Sequence, residues 1–231
     1  MRLAIELYWS CRSPYSYIAL QRLIDLSSRW DFDIAIRVVH PGLLRNPDYI
    51  RVMNPVARSY FMLDSARAAE FQGLPFHRPR PDPVAQDPVT LTAAADHPIA
   101  RRLGRLCVAA EERGRGLAFC DVLSRLLWDG SVDGWDQGNH LSAAAERAGL
   151  ELAEMEAAIA AAPKRYETVL AANDAALRAA GHWGVPTMVF RGEPYFGQDR
   201  IDTLLWRMRQ HGLEQHAQRG GVGHGDHLTA G

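Results

Sequence analysis

Two short stretches carry residue types suited to chemistry. The first is Ser13-Pro14-Tyr15-Ser16, which follows a short apolar run and opens a segment of helical periodicity. It therefore falls at a strand-to-helix turn. Unpaired backbone N–H groups at a helix start carry partial positive charge and stabilise an anion or thiolate held there. Ser13 serves equally well as a plain N-cap, with Pro14 at the first helical position, where its missing N–H is not needed. The second stretch is Gly184-Val185-Pro186-Thr187, directly ahead of a β-type run. A proline in this setting is a candidate cis peptide, with a trans-proline strand start as the alternative. In the cis form, the N–H and C=O of Val185 would be open to a peptide-like ligand pairing as an added strand.

The elements that must position these stretches are legible on either side of them. Leu3–Tyr8 is a short β-compatible run, and Ile18, Ala19, Leu20, Leu23, Ile24 and Leu26 recur at helical spacing after Pro14. Asp33–Val39 alternates and is β-branched, so the chain opens β–α–β. Near the other end, Thr187–Arg191 reads as a strand and Pro194–Phe196 as a short edge strand. Ile201–His211 reads as a closing helix that Asp199 is placed to cap. Between these halves, Leu43–Gly181 shows no convincing strand. Its first part is a loop punctuated by Pro79, Pro81, Pro83 and Pro88. Helical patterns follow over Ile99–Arg113, Ala118–Trp128, Leu141–Ala148, Leu152–Ala161 and Lys164–Ala180. Alanine fills 16 of the 38 positions from Ala143 to Ala180, a sign of close helix packing. The pattern predicts an α/β thioredoxin-like domain from residues 1–42 and 182–212, with an all-helical insertion over 43–181. A flexible Gly/His-rich tail is expected over 213–231.

Composition narrows the function. The chain has 231 residues, 47% of them hydrophobic, and a net charge of -1, so it has ample material for a core. It lacks the basic excess of a dedicated nucleic-acid binder. No apolar run approaches the roughly 18–20 residues of a membrane span, and the N-terminus lacks the features of a signal peptide. Three widely spaced cysteines, Cys11, Cys107 and Cys120, argue against a disulfide framework and for a reducing cytoplasm. The histidines are scattered, and His224-Gly225-Asp226-His227 lies in the Gly-rich tail, so no metal site is expected. His97, His140 and His182 flank turns or helix ends and read as capping or packed residues.

In thiol oxidoreductases of this fold, the strand-to-helix turn holds Cys-x-x-Cys, whose first thiol the helix end acidifies. Both of those positions are serine in this chain. The stretches Arg12–Leu20 (RSPYSYIAL), Gly73–Pro81 (GLPFHRPRP) and above all Gly181–Met208 (GHWGVPTMVFRGEPYFGQDRIDTLLWRM) resemble the kappa-class glutathione transferases and their bacterial relatives, the 2-hydroxychromene-2-carboxylate isomerases. These are DsbA-like members of the disulfide-oxidoreductase branch of the thioredoxin fold, and the likeness spans about residues 3–212. The resemblance implies glutathione as the thiol cofactor and Ser13 as the catalytic residue that hydrogen-bonds its sulfur. It further implies that Val185, before Pro186, pairs with the cysteinyl backbone. Phe196, Gly197, Gln198 and Asp199 would hold the γ-glutamyl end, and Arg58 would face the glycyl carboxylate. Arg12, Tyr15 and Trp183 would line the pocket of a small aromatic or electrophilic substrate, and the chain would pair as a homodimer.

Three departures touch the substrate side. Ser10-Cys11-Arg12 stands where many family isomerases carry an acidic-aromatic pair, Gln198 replaces an asparagine, and no tryptophan lies within Tyr60–Phe71. Arg12 would add a cation near the thiolate if it turned inward. The expected activity is a glutathione-dependent isomerisation, with transfer of glutathione as the alternative outcome. Two other classes stay open: a thiol-disulfide oxidoreductase using Cys11, and a non-enzymatic scaffold that binds a peptide along the Val185 edge.

Overall fold

The computed structural model describes residues 2–48, 52–87 and 92–216. Strand β1 (Leu3–Trp9) and strand β2 (Phe32–Val38) pair in parallel, from Leu3 opposite Phe32 to Trp9 opposite Val38. A parallel pair needs a long crossover. Helix α1 (Pro14–Arg29) supplies it and buries Ile18, Leu20 and Leu23. Strand β3 (Thr187–Phe190) runs antiparallel to β1, with Tyr8 opposite Thr187, and β4 (Glu193–Phe196) closes the sheet in the order β2-β1-β3-β4. Pro194 therefore lies on an edge strand, the place where its missing N–H is tolerated. The antiparallel step has a direct consequence. The C-terminal end of β1 and the N-terminal end of β3 lie side by side, so the Ser13 turn meets Val185-Pro186.

Both faces of the sheet are covered. Alternate residues of a strand point to opposite faces. Ile5, Leu7 and Trp9 join the main core with Met188 and Phe190, whereas Tyr8 and Val189 pack in a second cluster with Val39 and Leu177. The middle of the chain forms α2 (Gly42–Arg45), α3 (Pro55–Phe71), α4 (Pro98–Glu111), α5 (Gly116–Trp128), α6 (His140–Arg147), α7 (Leu152–Ala161) and α8 (Pro163–Ala179). A 3₁₀ turn over Gln198–Arg200 leads into α9 (Ile201–Gln210). The inserted helices share the main core with the sheet, since Leu106, Phe119, Leu123 and Tyr166 cluster with Leu7, Leu20 and Leu23. Fully burying such side chains contributes roughly 1.5–3 kcal/mol each, so the insertion and the sheet stabilise one another.

Three expectations need correction. Helix α3 occupies part of the expected loop. Its start was locally marked, with Asn54 accepting from the Val56 N–H and Pro55 in the first turn. Its apolar residues spread around the whole helix, however, and only Ser65 and Ala69 are buried, so it lacks the one-sided stripe that reveals a helix in sequence. Asp199 does not cap the closing helix, because it falls inside the 3₁₀ turn and Arg200 takes the N-cap position without a side-chain bond. The start of the expected tail is packed. Leu213 is buried, the Asp31 N–H donates to the Glu214 carbonyl at 2.8 Å, and the His216 N–H donates to that of Arg29 at 2.9 Å. Pro88 and the tail from residue 217 onward, including the His224–His227 cluster, lie outside the described residues.

Candidate active site

The turn after β1 is held from several directions. Trp9 Nε1 donates to the Ser16 carbonyl at 3.2 Å, and Trp128 Nε1 reaches from α5 to the Cys11 carbonyl at 2.8 Å. The Ser13 N–H donates to the Ser10 carbonyl at 3.1 Å. In this frame Ser13 is the N-cap that its sequence context allowed, and its hydroxyl has a second partner. Its Oγ accepts the Ser16 N–H at 3.2 Å as the N-cap, and its hydroxyl lies 3.4 Å from the Val185 carbonyl, where it donates a weak hydrogen bond. Two positions 172 residues apart in the chain thus meet at a helix N-terminus. The Val185-Pro186 peptide is cis, one of the two forms that the sequence context left open; Arg80-Pro81 is also cis, which sequence reading missed.

This junction opens onto a cavity of about 690 Å³. Seven of the residues expected at the site line it: Arg12, Ser13, Tyr15, Arg58, Trp183, Val185 and Phe196. Pro186, Gly197, Gln198 and Asp199 do not. Pro186 is buried beneath the edge, and its carbonyl accepts the Gly197 N–H at 2.9 Å. The Gln198 carbonyl accepts from Arg22 at 2.9 Å, and Asp199 is exposed beside Arg200 at 3.5 Å. Asp199 is still close enough to act electrostatically on the Tyr15 phenol.

Arg12 lines the cavity but does not offer a free cation. It forks onto Asp82, with Nε and Nη2 at 2.7 and 2.8 Å from the two carboxylate oxygens. Such a bidentate pair satisfies the guanidinium geometrically and electrically, which corrects the expectation of an extra cation beside a thiolate. Asp82 also accepts the Val84 N–H at 2.9 Å, with Arg78 3.6 Å away. Among the described residues the Arg58 guanidinium has no ion-pair partner and stays available for an anionic group. Tyr15 presents its ring to the cavity, edge-on to Phe61, while its hydroxyl donates to Asp64 at 2.6 Å. Burial and that bond to Asp64 push the phenol well above its ordinary range.

Arg58 apart, sequence reading missed the α3 side of the far wall. Met53, Phe61 and Met62 of the α3 region, Arg78 and Asp82 of the proline loop, and Trp128 of α5 face the same space. Arg58 and the Gly73–Pro81 resemblance were the pointers toward that wall. Ser10 was also passed over; it lines the cavity, and its hydroxyl is buried without a hydrogen-bond partner in the structure.

The cysteines stand apart from this chemistry. Cys11, Cys107 and Cys120 are unpaired and buried. Burial, reinforced by the neighbouring Cys107, pushes the Cys11 thiol far above its usual range. A nucleophilic thiolate needs the opposite surroundings. No cluster of metal-ligating side chains is found among the described residues, and no helix there is long and apolar enough to cross a membrane.

Comparison with known proteins agrees with this architecture. A solved 2-hydroxychromene-2-carboxylate isomerase shares 23% identity over 90% of this chain and 95% of its own, with a TM-score of 0.67. The cytosolic disulfide reductase DsbM from Pseudomonas aeruginosa shares 18% identity over 90% of this chain and all of its own, with a TM-score of 0.56. The same reductase solved with GSH matches at 17% identity, over 90% of this chain and all of its own, with a TM-score of 0.55. At these identities the likeness is one of fold. No curated protein matches the sequence. The family model for the DSBA-like thioredoxin domain matches residues 4–209, almost the whole described structure. With a serine where the fold's redox members carry a thiol, this chain belongs to the DSBA-like thioredoxin domain family.

Proposed function

We propose that the protein is a glutathione-dependent isomerase of the 2-hydroxychromene-2-carboxylate isomerase type, acting on a small aromatic substrate. The observation that carries this reading is the junction of the Ser13 hydroxyl, the α1 N-terminus and the Val185 edge beside an apolar-walled cavity, with no thiol of the chain in it. The residues present fit a thiol tripeptide. Val185 offers backbone to a peptide, the unpartnered Ser10 hydroxyl adds a polar group, and Arg58 offers a cation to a carboxylate. Phe196, Gly197, Gln198 and Asp199 are proposed for the γ-glutamyl end.

When bound, glutathione supplies a sulfur nucleophile that can add to a conjugated double bond and leave again after rotation about it. The chain's own part is electrostatic and steric. The Ser13 hydroxyl turns from the Val185 carbonyl to an anionic sulfur, and the α1 N-terminus adds its partial positive charge. Together these are sufficient to lower a free thiol pKa of about 8.5 by roughly one unit, worth about 1.4 kcal/mol. Val185 fixes the peptide unit in register, while Tyr15, Phe61 and Trp128 exclude water from an aromatic substrate. A kappa-type glutathione transferase would use the same half-site and retain the adduct; the buried cysteines count against a redox role for Cys11. A homodimer in the cytoplasm is the proposed setting.

Isothermal titration with reduced glutathione tests the reading, followed by an ultraviolet assay of chromene-carboxylate isomerisation. Saturable binding by the wild type, weakened in Ser13→Ala, and a turnover that requires glutathione are expected. A folded protein that shows neither would overturn it.

A further inference from the structure

We infer that His182 is a positioning residue that clasps the Val185 edge in its neutral form, so that ligand pairing along this edge has a built-in acid limit. The inference rests on the reading of that edge as the tripeptide site. His182 is half-buried and lies between α8 and the cis-Pro loop. Its Nδ1 accepts the Gly184 N–H at 2.9 Å, and its own N–H reaches back to the Leu177 carbonyl at 3.3 Å. Its ring stacks on Phe196 with centroids 4.0 Å apart and planes 22° apart, and on Trp183 at 5.6 Å. Phe196 and Trp183 both line the cavity, as do Gly184 and Val185. One imidazole thus joins two lining side chains of the site to the backbone that would carry the ligand. The stack is tight enough to determine the next residue: a Cβ on Gly184 would lie 2.5 Å from Phe196 Cε2 and 3.0 Å from His182 Cε1.

The bond fixes the protonation state. Nδ1 can accept the Gly184 N–H only with its lone pair free, which places the single ring proton on Nε2. An imidazolium carries N–H on both nitrogens, so protonation would set one donor against another and release Gly184. Burial already lowers the affinity of His182 for that second proton. The charged groups on the surrounding elements are engaged elsewhere. Asp174 of α8 holds Arg45 and Arg178, Glu193 of β4 holds Arg207, Arg191 lies against His211, and Asp199 pairs with Arg200. Arg45 also donates to the Trp183 carbonyl at 2.8 Å and so supports the same loop from its other side. The sign follows: the clasp is complete above the free imidazole pKa of about 6.5 and is lost as pH falls through the lowered folded value.

The test uses S-methylglutathione, whose sulfur does not titrate, with wild type, His182→Phe and His182→Asn. The phenyl ring keeps the stack and loses the acceptor, whereas an asparagine oxygen can accept the N–H two residues on and does not titrate. At about pH 7.5, the Kd of His182→Phe should rise roughly tenfold, the scale of one hydrogen bond, and that of His182→Asn by less than about threefold. Between about pH 7.5 and pH 5.5, the wild-type Kd should rise while that of His182→Asn stays flat. The Gly184 amide resonance, followed without ligand, should titrate in the wild type and not in His182→Asn. Equal loss in both variants, or a pH-independent Gly184 amide in the wild type, would overturn the clasp. A titrating Gly184 amide in a protein that binds no glutathione derivative would uphold the clasp and remove the proposed function instead.

Discussion

The two walls of the cavity are built differently. The near wall, where Ser13 meets Val185, is made by the sheet itself. Two strand ends are brought together by antiparallel register, and Trp9, Trp128, Thr187 and His182 each fix a backbone group there. The far wall is an addition. Helix α3 packs mainly on α1, buries only Ser65 and Ala69, and leaves Val56, Tyr60, Leu63 and Phe71 exposed. Its polar attachment to α1 is the Tyr15 hydroxyl on the Asp64 carboxylate at 2.6 Å, a carboxylate that Tyr60 of the same helix also engages at 2.9 Å. The contrast fits the proposed division of labour: the wall proposed to stabilise charge rests on rigid, mutually bonded elements, and the wall proposed to recognise a substrate is lightly held.

Substitutions on each wall can break that comparison. The largest effect is expected from Gly184→Ala, since its methyl group would displace Phe196 and His182; overpacking of this kind costs about 1–3 kcal/mol. Glutathione affinity should fall at least tenfold by calorimetry. An unchanged Kd would show that the near wall is softer than its bonds indicate. Next comes Ser13→Ala. It removes an N-cap worth roughly 1 kcal/mol, measurable as a lower Tm, and the hydroxyl proposed to meet the glutathione sulfur. Turnover should drop about tenfold near pH 7 and recover near pH 9, where glutathione ionises without help. Equal activity across that range would dissociate Ser13 from catalysis.

A smaller, opposite split is expected on the far wall. Tyr15→Phe keeps the ring against Phe61 and deletes the bond to Asp64. The KM for the aromatic substrate should rise a few-fold, about the worth of one hydrogen bond, with the glutathione Kd unmoved. A change in both constants would merge the walls into one unit. The smallest signal belongs to the cysteines. With Cys11, Cys107 and Cys120 buried, the folded protein should resist a colourimetric disulfide reagent and react fully once unfolded. Rapid reaction of Cys11 in the folded state would revive the redox reading.

The near wall was legible in sequence because its signals are local. A β-compatible run, a serine before a proline and a helical stripe mark the Ser13 turn within about ten residues, and Gly-Val-Pro-Thr before an apolar run marks the other half. Apart from Tyr15 and Arg58, which the family resemblance supplied, the far wall was not legible, because its members are joined only by tertiary contact. Asp82 looks like any loop carboxylate until Arg12 closes on it from 70 positions away. Helix α3 hides because its apolar residues encircle it. His182 was expected as a capping or packed residue and is both, but which amide and which aromatic of β4 it joins is visible only in the fold.

The amino-acid order alone therefore determined the strand–helix grammar, the serine in place of the redox thiol and the cis-proline candidate, since each depends on propensity and spacing over a few residues. The tertiary structure alone decided that Arg12's charge is matched, that Cys11 is out of reach, and that α3 completes the cavity. Burial and ion pairing are properties of neighbours in space, and the sheet register, the relation that makes Ser13 and Val185 neighbours, exists only once the chain has folded.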